Sequence, residues 1–103
     1  MWAQLITTRI KPGREGDLSK LAEQLQATEQ PNSGLVRSMM MQDQKDPSRA
    51  YTLVVFESEE KARARESDPR RQEGLAEVRA LIGEIFDSAP EFVDLTIVED
   101  MTP

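Results

Sequence analysis

Between Tyr51 and Phe56 the chain is apolar on both parities, with Tyr51, Leu53 and Val55 on one side of an extended backbone and Val54 and Phe56 on the other. A strand of that kind must be covered on both faces, because a sheet with only one covered face shows polar residues on the other. The chain is 103 residues long. A chain of this size builds one core and buries only about two-thirds of its unfolded surface, so self-association is an inexpensive way to cover what remains.

The surrounding periodicities supply one helical layer. Trp2 to Ile10 is β-compatible and ends at Lys11-Pro12-Gly13. Leu18, Leu21, Ala22 and Leu25 then mark one face of an amphipathic helix, which Pro31-Asn32-Ser33-Gly34 terminates. Leu35 to Met41 and Tyr51 to Phe56 read as an antiparallel hairpin around the polar loop Gln42 to Arg49. Ser58, followed by Glu59 and Glu60, suits a helix start, and Asp68-Pro69 starts a second helix whose stripe is Leu75, Val78, Leu81, Ile82, Ile85 and Phe86. Phe92 to Glu99 reads as a fourth strand.

The order β-α-β-β-α-β, with right-handed crossovers, predicts an α+β, ferredoxin-like antiparallel sheet with helices on one face, residues 1–103 forming a single domain. The two-sided third strand predicts that the other face meets a second copy of the chain in a homodimer.

The residue inventory excludes several kinds of chemistry. There is no Cys and no His, hence no disulfide scaffold, no thiol nucleophile, no His-assisted hydroxyl nucleophile and no His-ligated zinc or haem. A formal net charge of −6 opposes nucleic-acid binding. No basic segment followed by an apolar run opens the chain, and Leu53 to Phe56 is too short to span a bilayer, so the expectation is a cytoplasmic protein without membrane or nucleic-acid partners. The five glycines form neither G-x-G-x-x-G nor a P-loop, and no carboxylate pair or metal site stands out.

A few residues invite two readings. Lys61, Arg63, Arg65, Arg70 and Arg71 make a basic stretch in an acidic chain; an arginine there suits a phenolate or carboxylate at a pocket mouth. Glu57 with Lys61, Glu59 with Arg63 and Glu66 with Arg70 stand at i,i+4, which suits a solvated helix face instead. Gly74, inside a helix, either leaves room for a ligand or allows close helix-to-sheet contact. Met39-Met40-Met41, Trp2 and Tyr51 suit packing or ligand contact. Asp94, between apolar neighbours, reads either as a base of raised pKa or as the partner of an arginine.

Ile10-Lys11-Pro12-Gly13, Phe56-Glu57-Ser58-Glu59-Glu60-Lys61-Ala62, Ser67-Asp68-Pro69 and the final strand after Pro90 together resemble the antibiotic biosynthesis monooxygenase family of dimeric α+β barrels, over nearly the whole chain. The resemblance implies two ferredoxin-like subunits packed sheet to sheet, each with a pocket between its sheet and its helices. Members that oxidise aromatic polyketides use neither metal nor flavin, and a related branch degrades haem. That branch's pocket Asn, Trp and iron-ligating His would fall near Ile6, Arg65 and Gly74, and all three are absent. The complete lack of His makes His-ligated haem impossible in any alignment.

The resemblance also turns Ile6 toward the pocket, and strand alternation then sends Gln4 and Thr8 to the same side, where they either contact a ligand or satisfy nearby backbone and water. The candidate substrate site is therefore Gln4, Ile6, Thr8, Arg65, Arg71 and Gly74, with no catalytic base identified and no cofactor or metal expected. The implied activity is a cofactor-independent monooxygenation of a small phenolic or quinol-like compound. The alternative is a non-catalytic dimeric barrel that binds a small hydrophobic molecule.

Overall fold

A computed structural model describes every residue from Met1 to Pro103. Strand β1 runs Trp2–Arg9, helix α1 Leu18–Ala27 after a short 3₁₀ turn, β2 Leu35–Gln42, β3 Arg49–Phe56, α2 Glu59–Glu66, α3 Pro69–Ile85 and β4 Glu91–Thr96. The sheet order is β2-β3-β1-β4, antiparallel throughout, which is the ferredoxin-like arrangement expected from the element order. None of the helices is long and apolar enough to cross a membrane.

The local signals act as the residue types dictate. The Ser58 hydroxyl accepts from the Lys61 amide at 3.2 Å, and the Asp68 carboxylate accepts from the Arg70 amide at 2.9 Å, so α2 and α3 are both capped at their first turns. Asn32 and Gly34 take the left-handed backbone (φ 61° and 85°) that turns the chain from α1 into β2. β4 is shorter than the apolar run that announces it. It stops at Thr96, where β1 has begun, and Ile97 adds one bond to the Met1 carbonyl at 3.3 Å.

The pairing register decides what each face carries. Trp2 opposite Phe56, Gln4 opposite Val54, Ile6 opposite Thr52 and Thr8 opposite Ala50 look toward the helices. Leu5, Tyr51, Leu53 and Val55 look away, joined by Met39 and Met41 from β2 and by Val93 and Leu95 from β4. Val93 is 49% and Leu95 38% exposed, so this outer face is apolar and uncovered within one chain. The methionines alternate: Met40 packs on the inner core while its two neighbours lie on the outer face.

The inner core is divided. Ile10, Leu21, Ala50, Val78 and Ile85 form one cluster where α1 and α3 meet the sheet, while Trp2, Val54, Phe56 and Ala62 form another under α2. Gly74 serves helix-to-helix contact, which neither reading of the sequence anticipated. A Cβ there would lie 3.0 Å from Thr28 Cγ2, so the absent side chain lets α3 close on the end of α1.

Gly34 is the most constrained turn position, since a Cβ there would meet Lys61 Cβ at 2.7 Å, whereas Gly13 (φ 83°) has open space around it. Gly13→Ala should cost about 1 to 2 kcal/mol in urea unfolding, the backbone penalty alone. Gly34→Ala should cost measurably more, because the backbone penalty is joined by a clash.

Candidate functional site

The gap between the two core clusters is a cavity of about 850 Å³. Its floor is the inner face of the sheet: Gln4 and Ile6 of β1, Thr52 and Val54 of β3, Ser38 and Met40 of β2, and Phe92 of β4. Ala22, Leu25 and Gln26 line it from α1, an i, i+3, i+4 set on one helix face. Glu29, Arg65, Glu66 and Arg71 close one end with charge. The cavity is therefore an apolar chamber with a polar wall, the general form of a small-molecule site.

Four of the six candidate residues line this space: Gln4, Ile6, Arg65 and Arg71. The structure places Thr8 and Gly74 outside it. The Thr8 hydroxyl approaches the Ala50 carbonyl at 3.5 Å, among the residues of the first core cluster, and Gly74 faces Thr28. The amide of Gln4 donates to Asp94 Oδ1 at 3.0 Å, which leaves its carbonyl oxygen as an acceptor.

The basic stretch divides by side-chain environment. Lys61 pairs with Glu57, and Arg63 pairs with Glu59 at 3.3 Å, as the i,i+4 spacing suggests. Glu66 and Arg70 do not pair, because the helix breaks between them. Arg70 turns to Asp68 at 2.9 Å, and Glu66 to Arg63 at 3.2 Å. Arg63 also spans to Asp94 at 2.8 Å and lies over the Trp2 ring at 5.0 Å. Asp94 is thus the partner of an arginine. The Gln4 hydrogen bond and the Arg63 guanidinium lower its pKa, which overturns the reading of Asp94 as a base of raised pKa.

Arg65 and Arg71 differ in kind from these surface pairs. Arg65 is held by Glu29 through Nε at 3.0 Å and Nη2 at 2.7 Å, and its guanidinium lies 5.3 Å from the Phe56 ring centroid. Both partners of this pair are largely shielded, at 15% and 20% side-chain exposure. Burial works against the charge of Glu29, yet the hydrogen bonds and positive charges around it, chiefly from Arg65, leave its pKa lowered. Arg71 Nε is buried, and no protein group accepts from it. Burial, and then the like charge of Arg65, push the Arg71 guanidinium down from its ordinary value. Glu29 is the residue sequence reasoning missed. It lies just past the predicted helix, and only the fold brings it to Arg65.

No protein-family model matches the chain, and no curated protein matches it in sequence. Solved structures do match it over nearly its whole length. A Chloroflexus aurantiacus protein provisionally named an antibiotic biosynthesis monooxygenase is 26% identical, with 99% of this chain and 98% of that one covered at a TM-score of 0.66. A Bordetella bronchiseptica protein with the same provisional name is 21% identical, with 95% and 97% covered and a TM-score of 0.74. SnoaB, a cofactor-independent oxygenase from Streptomyces nogalater, is 13% identical, with 99% and 97% covered and a TM-score of 0.74. The fold of this chain is the one these proteins share.

A carboxylate with lowered pKa stabilises the fold above its ordinary titration range and loses that contribution as pH falls through its folded value. The stability difference between the wild type and Glu29→Gln should therefore be full above the ordinary value of 4.5 and shrink below it, as read from melting temperatures measured across pH.

Proposed function

We propose that this protein is a cofactor-independent monooxygenase acting on a small phenolic or quinol-like compound. The observation that carries the reading is the open cavity of about 850 Å³ between sheet and helices, lined mostly by apolar surface and bounded by a half-buried arginine without a carboxylate partner. The shared fold with SnoaB supports it.

The chemistry asks little of the protein. An ionised phenol or its carbanion tautomer transfers one electron to dioxygen, and the two radicals combine as a peroxide at the activated carbon. Loss of water then leaves a carbonyl, so that R₂CH₂ and O₂ become R₂CO and H₂O, with one oxygen atom in each product. Arg71 lowers the cost of the substrate anion, the Gln4 side-chain oxygen orients a hydroxyl, and Ile6, Val54 and Phe92 hold the rings in a chamber that limits water.

The dimer belongs to the same proposal. The outer face presents Leu5, Tyr51, Leu53 and Val55 in the middle strands, flanked by Val93 and Leu95. Packing a second sheet on it would remove this apolar surface from water at about 25 cal/mol per Å².

Oxygen uptake with a panel of naphthols and anthrols tests the activity. Turnover by the wild type, reduced about 100-fold in Arg71→Ala with the dimer intact, is the expected result. Binding of the same compounds without oxygen uptake would make the protein a non-catalytic binding module instead. In sedimentation equilibrium at micromolar concentration, the wild type should be a dimer and Leu53→Glu a monomer. A folded wild-type monomer would remove the dimer from the proposal.

A further inference from the structure

A second, smaller hollow of about 140 Å³ adjoins the charged end of the cavity. The turn after α1 contributes Gln30, Asn32 and Ser33, α2 contributes Lys61 and Arg65, and the start of α3 contributes Asp68, Arg70 and Arg71. Four cations thus face one carboxylate in a chain whose net charge is −6. Lys61, Arg65 and Arg70 each hold a carboxylate partner, yet each retains donors beyond that pair. Arg71 is different, being the one arginine withdrawn from full exposure that makes no salt bridge.

Arg65 and Arg71 line both the cleft and the cavity. An apolar chamber and a cationic cleft therefore share one wall of two guanidinium groups. A guanidinium matches a carboxylate in a planar, two-point geometry, and the neutral side-chain amide of Asn32 adds a donor of the kind an oxyanion accepts. Gly34 contributes indirectly, because the room left by its missing side chain lets the stem of Lys61 lie against the turn that carries Asn32 and Ser33.

We propose that the cleft is an oxyanion site, taking the carboxylate of a molecule whose apolar ring system occupies the cavity. The ligand class is then a phenolic compound that also carries an aromatic acid group, rather than a simple phenol. This rests on the cavity being the ligand site proposed above, and it adds the anionic group and the residues that read it. Arg71 joins the two parts, with Lys61 and Arg70 as contacts for the acid group alone.

Isothermal titration of the wild-type protein with 2-naphthol and with naphthyl carboxylates bearing no, one or two methylenes before the acid tests the proposal. At least one acid should bind about tenfold more tightly than the naphthol, and that ratio should collapse toward unity in a Lys61→Gln, Arg70→Gln double variant. Circular dichroism and melting of the variant establish that it is folded. Inorganic phosphate should compete with the acid and leave naphthol affinity unchanged. Naphthol binding with no advantage for any acid would overturn this inference and leave the cavity reading standing. Failure of both naphthol and acids to bind would overturn both. Phosphate binding that is lost in the double variant, without any acid advantage, would make the cleft a site for a free anion and would also overturn the inference.

Discussion

The helices of this protein do not close onto the middle of the sheet. Leu21, Val78 and Ile85 anchor α1 and α3 over Ile10 and Ala50 at one end, and Ala62 seats α2 on Trp2 and Phe56 at the other. Between them, the floor residues Gln4, Ile6 and Thr52 line open space that the side chains of α1, Leu25 among them, leave unfilled. Protein interiors are close-packed, and unfilled volume costs stability. The two clusters bear that cost, and the result is a chamber whose shape depends on the spacing of its two supports.

Charge gives the chamber its direction. Arg65 is immobilised by Glu29 and by the face of Phe56, so it behaves as a fixed part of the wall. Its positive charge in turn bears on Arg71, which has desolvation and a like charge against it. A half-buried guanidinium with a partnerless Nε is an expensive arrangement for stability alone, and such groups concentrate at sites that receive a complementary charge. Arg63 makes the contrast clear. It has the same residue type one helical turn from its partner, but its pairs with Glu59, Glu66 and Asp94 are exposed and bind α2 to the edge of the sheet.

The two faces of the sheet divide the work. Alternation along β1 and β3 places cavity-facing and core residues on the inner side, while Leu5, Tyr51, Leu53 and Val55 stay on the outer side. An apolar outer face on a sheet with only one helical layer favours pairing with another sheet, and that pairing would stiffen the floor of the chamber from beneath.

Much of this was legible in the chain before folding. Ser58 and Asp68-Pro69 mark helix starts because capping is local, the apolar stripe of α3 follows a fixed period, and strand alternation puts Gln4, Ile6 and Thr8 on one face wherever the strand goes. Without His or Cys, the chain also excluded most catalytic dyads and thiolate or imidazole metal sites on composition alone. Long-range placement was beyond any such reading. Thr8 shares a face with Gln4 but falls beneath the first core cluster, Gly74 faces Thr28, and Glu29 reaches across from another element to hold Arg65. Periodicity is set by bonds between near neighbours and survives any packing. The pairing of residues 36 positions apart, and the gap left where two clusters fail to meet, come into being only when the layers are stacked.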